Sequence, residues 1–222
     1  MAGRQGGGGE KRKTSLENMK NIYPGKFIVF EGLDGSGQST QAELLKSFLI
    51  EKGFNAILTK EPTMDSEAGK KLRRILDEKE KTEPAELQGL FVQDRKEHLE
   101  KLIIPALKQG KYVISDRYFY STFAFGSSEE VGLEWLIKIN NDFLTPDIAF
   151  LMKVSPEVCV ARINTRGRRK TYFEKIERLS RAWKTYESLP QRFSEIEVID
   201  GERKIPEIFD DIKKTIIQHL KI

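Results

Sequence analysis

Apolar residues along this chain fall into two alternating patterns, short continuous runs and longer stretches with helical spacing. The runs predict strands over Phe27–Glu31, Ala56–Thr59, Tyr112–Asp116, Ile148–Lys153 and Glu197–Asp200. The longer stretches predict helices over Ser39–Lys52, Glu67–Asp77, Pro84–Gln109, Leu133–Phe143, Pro156–Arg166, Tyr172–Leu189 and Ile205–Leu220. Pro84 and Pro156 suit a first helical turn, where a missing N–H costs nothing, and Pro105 should bend or interrupt its helix. Short strands alternating with helices imply an α/β fold with a parallel sheet covered on both faces. Ligands of such sheets bind beyond the carboxyl ends of the strands. Glu31, Glu61 and Asp116 all fall there, so the runs after Thr59 and Ser115 are candidate site segments.

Residues 1–24 lack either pattern. With Gly6-Gly7-Gly8-Gly9 and mixed charge they read as a flexible leader to one domain over residues 25–222. The chain has 222 residues, 38% hydrophobic and 32% charged, enough to bury a substantial core. Its single cysteine, Cys159, excludes an internal disulfide framework and points to a reducing, cytoplasmic setting. His98 and His219 are far apart and show no ligand spacing, which argues against a His/Cys zinc site. No apolar run is long enough to span a membrane, and no signal peptide is visible.

The net charge of +4 is concentrated in Arg4, Lys11, Arg12 and Lys13 and in the cluster Arg166-Gly167-Arg168-Arg169-Lys170. No aromatic residues interleave with these in a nucleic-acid-binding signature, so the charge does not demand nucleic acid. A protein that handles polyphosphates gains from the same charge.

The most specific local signal is Gly32-Leu33-Asp34-Gly35-Ser36-Gly37-Gln38-Ser39-Thr40, between an apolar run and a helical stretch. That context belongs to a phosphate-binding loop, whose glycines let successive N–H groups surround a phosphate at a helix N-terminus. Ser39 stands where such loops place their Mg²⁺-binding hydroxyl. The position before it, ordinarily a lysine reaching the β- and γ-phosphates, is Gln38. An amide donates hydrogen bonds without charge, and the exchange costs on the order of several kcal/mol in a charge-assisted contact. Asp34 is unusual beside phosphates; it suits a sugar hydroxyl, a neighbouring arginine or a plain turn.

Asp116-Arg117-Tyr118 closes an apolar strand, placing a carboxylate where it can hold Mg²⁺ and a guanidinium beside it that suits a phosphate. A structural salt bridge is the bland alternative. Phe91 and Arg95 share a helical face, so an aromatic plane and a guanidinium could meet a base. On spacing alone, a core phenylalanine and a surface arginine is the simpler reading. The basic segment from Arg162 to Lys170 fits a solvated loop or a lid that brings arginine to a transferring phosphoryl group.

Taken in order, Phe-Ile-Val-Phe-Glu-Gly-Leu-Asp-Gly-Ser-Gly, Glu61-Pro62-Thr63, Phe91 to Arg95, Asp116-Arg117-Tyr118 to Ser121, Pro146-Asp147 and Pro156-Glu157-Val158 resemble thymidylate kinases over roughly residues 26–215. The resemblance implies a P-loop kinase fold with a five-stranded parallel sheet and a short basic lid. It also implies transfer of the γ-phosphoryl group of ATP to dTMP, with Mg²⁺, in a homodimer. By motif position it assigns Phe91 to stacking on thymine and Arg95 to its carbonyl edge. Arg73 would face the base or phosphate, Arg117 the acceptor phosphate and Asp34 the deoxyribose hydroxyl, with Ser121, Thr122 and Phe125 in the same pocket. Glu61 and Asp116 would organise water and Mg²⁺, the latter with Ser39. Family members supply a catalytic arginine from the loop or the lid; here Gly35 occupies the loop position, leaving Arg166, Arg168 and Arg169. Where many bacterial relatives carry Tyr-Gln, this chain has Phe125-Gly126. Lys60 and the lid arginines could offset the missing lysine. Gln38 keeps open a nucleotide-binding regulator with impaired catalysis, and Gly126 keeps open another acceptor such as dUMP.

Overall fold

The computed structural model describes residues 20–165 and 175–220. Its centre is a parallel sheet in the order β2-β3-β1-β4-β5: β1 (Lys26–Gly32), β2 (Ala56–Lys60), β3 (Tyr112–Asp116), β4 (Ile148–Lys153) and β5 (Ile196–Asp200). Alternate residues of each strand feed opposite faces, as the two-residue period of a strand requires. Phe27, Val29, Val113, Ala149 and Leu151 enter one apolar cluster, with Phe119, Phe123, Leu136 and Leu179. Ile28, Phe30, Ile114, Ile148, Phe150 and Met152 enter the other, with Leu45 and Leu49 of α1 (Gln38–Glu51) and Ile208, Ile212 and Ile216 of α9 (Ile205–Leu220). Burial on both faces explains why the strands read as unbroken apolar runs.

The expected strands and most helices lie within a few residues of where the pattern puts them: α2 is Glu67–Leu76, α6 Leu133–Ile139, α7 Pro156–Asn164 and α8 Ile176–Ser188. Two differences matter. The stretch expected as one helix over Pro84–Gln109 is α3 (Pro84–His98), a π-helical turn over Leu99–Ile103 and α4 (Ile104–Lys108). Pro105 cannot donate to the preceding turn, and the chain accommodates the lost bond by widening just before it. Phe119–Ser128, expected as no element, forms helix α5.

Of the segment expected as a leader, Lys20 bridges to Thr145 and the Asn21 amide donates to Asp147 Oδ2 at 2.7 Å. The remainder of it, residues 1–19, lies outside the described residues. Among the described residues no helix is long and apolar enough to cross a membrane.

Candidate active site

β1 and β3 are neighbours in the sheet, so the loop after β1 and Asp116 at the end of β3 emerge side by side. Gly37, with φ 93°, caps α1 in a left-handed conformation that suits glycine and turns the loop into the helix. Gly35 is closed to any side chain, because a Cβ there would stand 2.7 Å from the Cys159 carbonyl oxygen of α7. Cys159 itself is buried, and burial pushes its thiol up to about 12. Arg162, one turn further along α7, donates to the Gly201 carbonyl at 3.0 Å and to the Ser36 carbonyl at 3.4 Å, tying the loop to the chain after β5. Leu33 contributes only backbone here, its side chain being wholly buried in the core.

The loop opens on a cavity of about 370 Å³ lined by Asp34, Gly35, Gly37, Gln38, Ser39, Thr40 and Lys60. Beneath it Asp116 gathers three donors. Gln38 Nε2 donates to Oδ1 at 3.0 Å, while Ser39 Oγ at 2.6 Å and Lys60 Nζ at 2.7 Å both donate to Oδ2. Burial works to raise the Asp116 carboxyl, but the charges of Lys60 and Arg117 and the donated bonds outweigh it and hold it below its ordinary range. Ser39 lines the cavity and Asp116 is a second hard oxygen donor bonded to it, and among the described residues no group of three or more His, Cys, Asp or Glu could hold a metal alone. Such a sparse set fits Mg²⁺, which keeps water and substrate phosphates for most of its shell.

A second cleft, about 310 Å³, adjoins the first through Asp34 and Lys60, which line both. It receives Glu61, Arg73, Phe91, Arg95, Arg117, Ser121, Thr122 and Phe125 together, from β2, α2, α3 and α5 and the turns at their ends. Arg95 forms its floor and is 1% exposed. Its Nε donates to Glu61 Oε2 at 2.8 Å, Nη1 to Asn140 Oδ1 at 2.5 Å and Nη2 to Thr122 Oγ1 at 3.0 Å, with the guanidinium over the Tyr118 ring at 5.3 Å. The other Glu61 oxygen is hydrogen-bonded with His98 Nδ1 at 3.1 Å, and His98 Nε2 is hydrogen-bonded with the Thr59 hydroxyl at 2.7 Å. Each Glu61 oxygen thereby accepts one bond within the protein, and the residue also lines the cleft beside Arg95.

Arg117 adopts φ 80°, rare for a residue with a side chain, and several bonds hold it there. Its N–H donates to the Phe30 carbonyl, Nη1 to the Gly32 carbonyl and Ser121 Oγ, and Nη2 to Asp34 Oδ1 at 2.9 Å. Behind it Glu31 is buried and accepts from Ser121 Oγ, Tyr186 OH and the Tyr118 and Ser121 N–H groups. Burial raises the Glu31 carboxyl to about 7 despite Arg117 and these donors. Arg73 is more open, paired with Asp77 at 3.3 Å on its own helix. Phe91 is half-buried on the cleft wall, so it belongs neither to the closed core nor to bulk surface.

A model of the thymidylate kinase family matches residues 30–212. The chain belongs to the thymidylate kinase family. A probable thymidylate kinase of Pyrococcus horikoshii is 42% identical to it over 194 residues, which cover 85% of this chain and 94% of the relative. A probable thymidylate kinase of Thermococcus onnurineus is 41% identical over 203 residues, 87% of this chain and 97% of the relative. The thymidylate kinase of Desulfotalea psychrophila is 37% identical over 200 residues, 90% of this chain and 98% of the relative.

Within this thymidylate kinase framework Arg166, Arg168 and Arg169, expected as lid arginines, lie outside the described residues. Sequence reasoning passed over several residues that shape the clefts. Gln88 lines the deeper one a turn before Phe91, buried, with no partner for either amide atom among the described residues. Its spacing from Phe91 was a readable signal; the part of Asn140, far away in sequence, was not. A Cβ at Gly126 would meet Leu136 Cδ1 at 2.8 Å and Gln88 Cδ at 3.1 Å. A side chain at this position would require Leu136 and Gln88 to shift.

Proposed function

We propose that this chain transfers the γ-phosphoryl group of ATP to dTMP, giving ADP and dTDP. The observation that carries this reading is the meeting of two cavities at Asp34 and Lys60, one walled by the phosphate loop and the other by Phe91, Arg95 and Arg117. Family membership supports it. The loop cavity would take the ATP phosphates and the deeper cleft dTMP, so that donor and acceptor face each other across the shared wall. An acceptor phosphate oxygen then attacks the γ-phosphorus in line, and the bond to the β–γ bridging oxygen breaks with its electrons leaving on ADP. No general base is needed, because the attacking oxygen is already anionic; positioning and charge neutralisation supply the rate.

Phe91 would stack on the pyrimidine, and Arg95 would use its remaining N–H groups on a ring carbonyl. Glu61 acts one step back, aiming Arg95. Arg117 would bind the acceptor phosphate, and Asp34, which holds Arg117, would accept from the sugar hydroxyl. Ser121 keeps Arg117 in place, and Thr122 and Phe125 complete the pocket. Ser39 and Asp116 would hold Mg²⁺, which supplies Lewis-acid neutralisation of the phosphate oxygens when bound. Because α7 closes the Gly35 position, catalytic arginine is assigned to Arg166, Arg168 and Arg169. A homodimer working in the cytoplasm completes the proposal.

The test is a panel of nucleoside monophosphates with ATP and Mg²⁺, read by product identity. dTDP formed in preference to other diphosphates is the expected result. Methyl recognition in an apolar pocket is worth only about 1–3 kcal/mol, so some turnover of dUMP is expected as well. No diphosphate from any monophosphate would refute the reading.

A further inference from the structure

The phosphate loop lacks its usual lysine, yet positive charge still reaches its cavity. Among the described residues that line that cavity, Lys60 is the one cation. It ends β2, whose register sets it directly beside Asp116. Its side chain is 58% exposed, whereas the Asp116 carboxylate it touches is 6% exposed.

Positions 38 and 60 are unrelated in sequence and converge on one carboxylate. Gln38 Nε2 occupies Asp116 Oδ1, and Lys60 Nζ shares Oδ2 with the hydroxyl of Ser39. An ammonium from either position would therefore arrive in the same neighbourhood, next to the hydroxyl that marks the phosphate end of the loop. Lys60 also lines the deeper cleft, so it stands on the seam between the two cavities. A bland role, neutralising Asp116, does not require that placement. Asp116 already has the Gln38 and Ser39 donors and the nearby Arg117 charge. An ammonium bonded once to a carboxylate keeps further N–H donors for a phosphate.

We propose that Lys60 is the cation of the donor-phosphate site, anchored on Asp116 and directed at the γ-phosphoryl group, with Gln38 as the positioning residue that fixes Asp116. The inference rests on the phosphoryl-transfer reading above. It goes further in moving the loop's missing charge to a different strand.

The experiment compares the parent protein, Lys60→Met, Gln38→Lys and the double variant Gln38→Lys/Lys60→Met. Turnover with dTMP, ATP and Mg²⁺ is measured beside equilibrium affinities for ATP and ADP. Lys60→Met should lower kcat about 100-fold, as removal of one transition-state donor does, and weaken ATP about tenfold with a smaller effect on ADP. The double variant should regain at least about tenfold in kcat over Lys60→Met, because charge has returned from the other anchor. A Lys60→Met enzyme with kcat close to the parent's overturns the proposal, as does a double variant that regains nothing. Unchanged ATP affinity with a raised KM for dTMP also overturns it, placing Lys60 on the acceptor. Should the parent show no turnover, the phosphoryl-transfer reading fails and the affinities decide alone. ATP weakened by Lys60→Met would sustain the Lys60 contact, and ATP unchanged would remove it.

Discussion

Arg95 and Lys60 both line the acceptor cleft, and they are built on opposite terms. Arg95 is 1% exposed, and Glu61, Asn140 and Thr122 each take one of its nitrogens while Tyr118 and Phe143 cover its faces. Lys60 is mostly exposed and, among the described residues, pairs with Asp116. A guanidinium locked from several sides offers a fixed shape, suited to recognising a planar ring. An ammonium on a flexible stem offers charge that can follow a moving group. Recognition on the acceptor side can therefore be exact in shape, while charge on the loop side can be redistributed without rebuilding the fold. On the proposed function, that contrast would let a phosphate loop carry Gln38 beside a cleft wall that receives dTMP.

The largest expected effect lies on the rigid side. Arg95→Ala takes the guanidinium from buried Glu61, leaves it with the His98 ring, and should destabilise the protein by about 3–5 kcal/mol. Denaturant unfolding checks this, and a loss below about 1 kcal/mol would mean the network is not the anchor its geometry describes. Next in size, Arg117→Ala should lower kcat/KM for dTMP by about 100-fold or more while ATP affinity changes less, since Arg117 lines the cleft proposed for dTMP and does not line the loop cavity. Steady-state kinetics with each substrate varied in turn separates the two.

The same comparison was unevenly legible in the sequence. Strands buried on both faces announce themselves as apolar runs, and the loop between β1 and α1 carries its own punctuation. Helix α5 was invisible for a physical reason: Phe119, Tyr120, Thr122, Phe123, Ala124, Phe125 and Gly126 are all buried, so no polar face gives it a period. Phe91 and Arg95 could be paired by spacing. That Arg95 would be the buried member depended on Glu61 and Asn140, separated from it by 34 and 45 positions. Lys60 is readable from the sequence as one of several cations that could offset the missing lysine, but its bond to Asp116 is made across strands and is not.

A smaller effect should come from Glu31, behind Arg117. Its carboxyl is raised to about 7 in the fold from an ordinary 4.5, so the folded state keeps a proton that the unfolded chain has released between those values. Stability from this group is therefore full below pH 4.5 and is lost as pH rises through 7, at no more than about 1.4 kcal/mol per pH unit. Glu31→Gln should flatten that slope. Unfolding free energies of both proteins at pH 5 and pH 8 provide the check, and parallel curves would count against it.

The smallest expected change is at Gln88, whose buried amide lacks partners among the described residues. Gln88→Leu should raise stability by about 1 kcal/mol, because no satisfied hydrogen bond is lost and an unpaired polar group is removed. A loss instead would reveal that the amide is satisfied.

The central claim is that charge at the loop has been relocated rather than lost. Its most direct measurement is kcat of the parent protein beside Gln38→Lys, with saturating dTMP, ATP and Mg²⁺. Two active enzymes are expected, with kcat values within about tenfold of each other, since Asp116 already holds an ammonium from position 60. A parent near zero with a large gain in Gln38→Lys would contradict it and leave a nucleotide-binding protein that has given up catalysis.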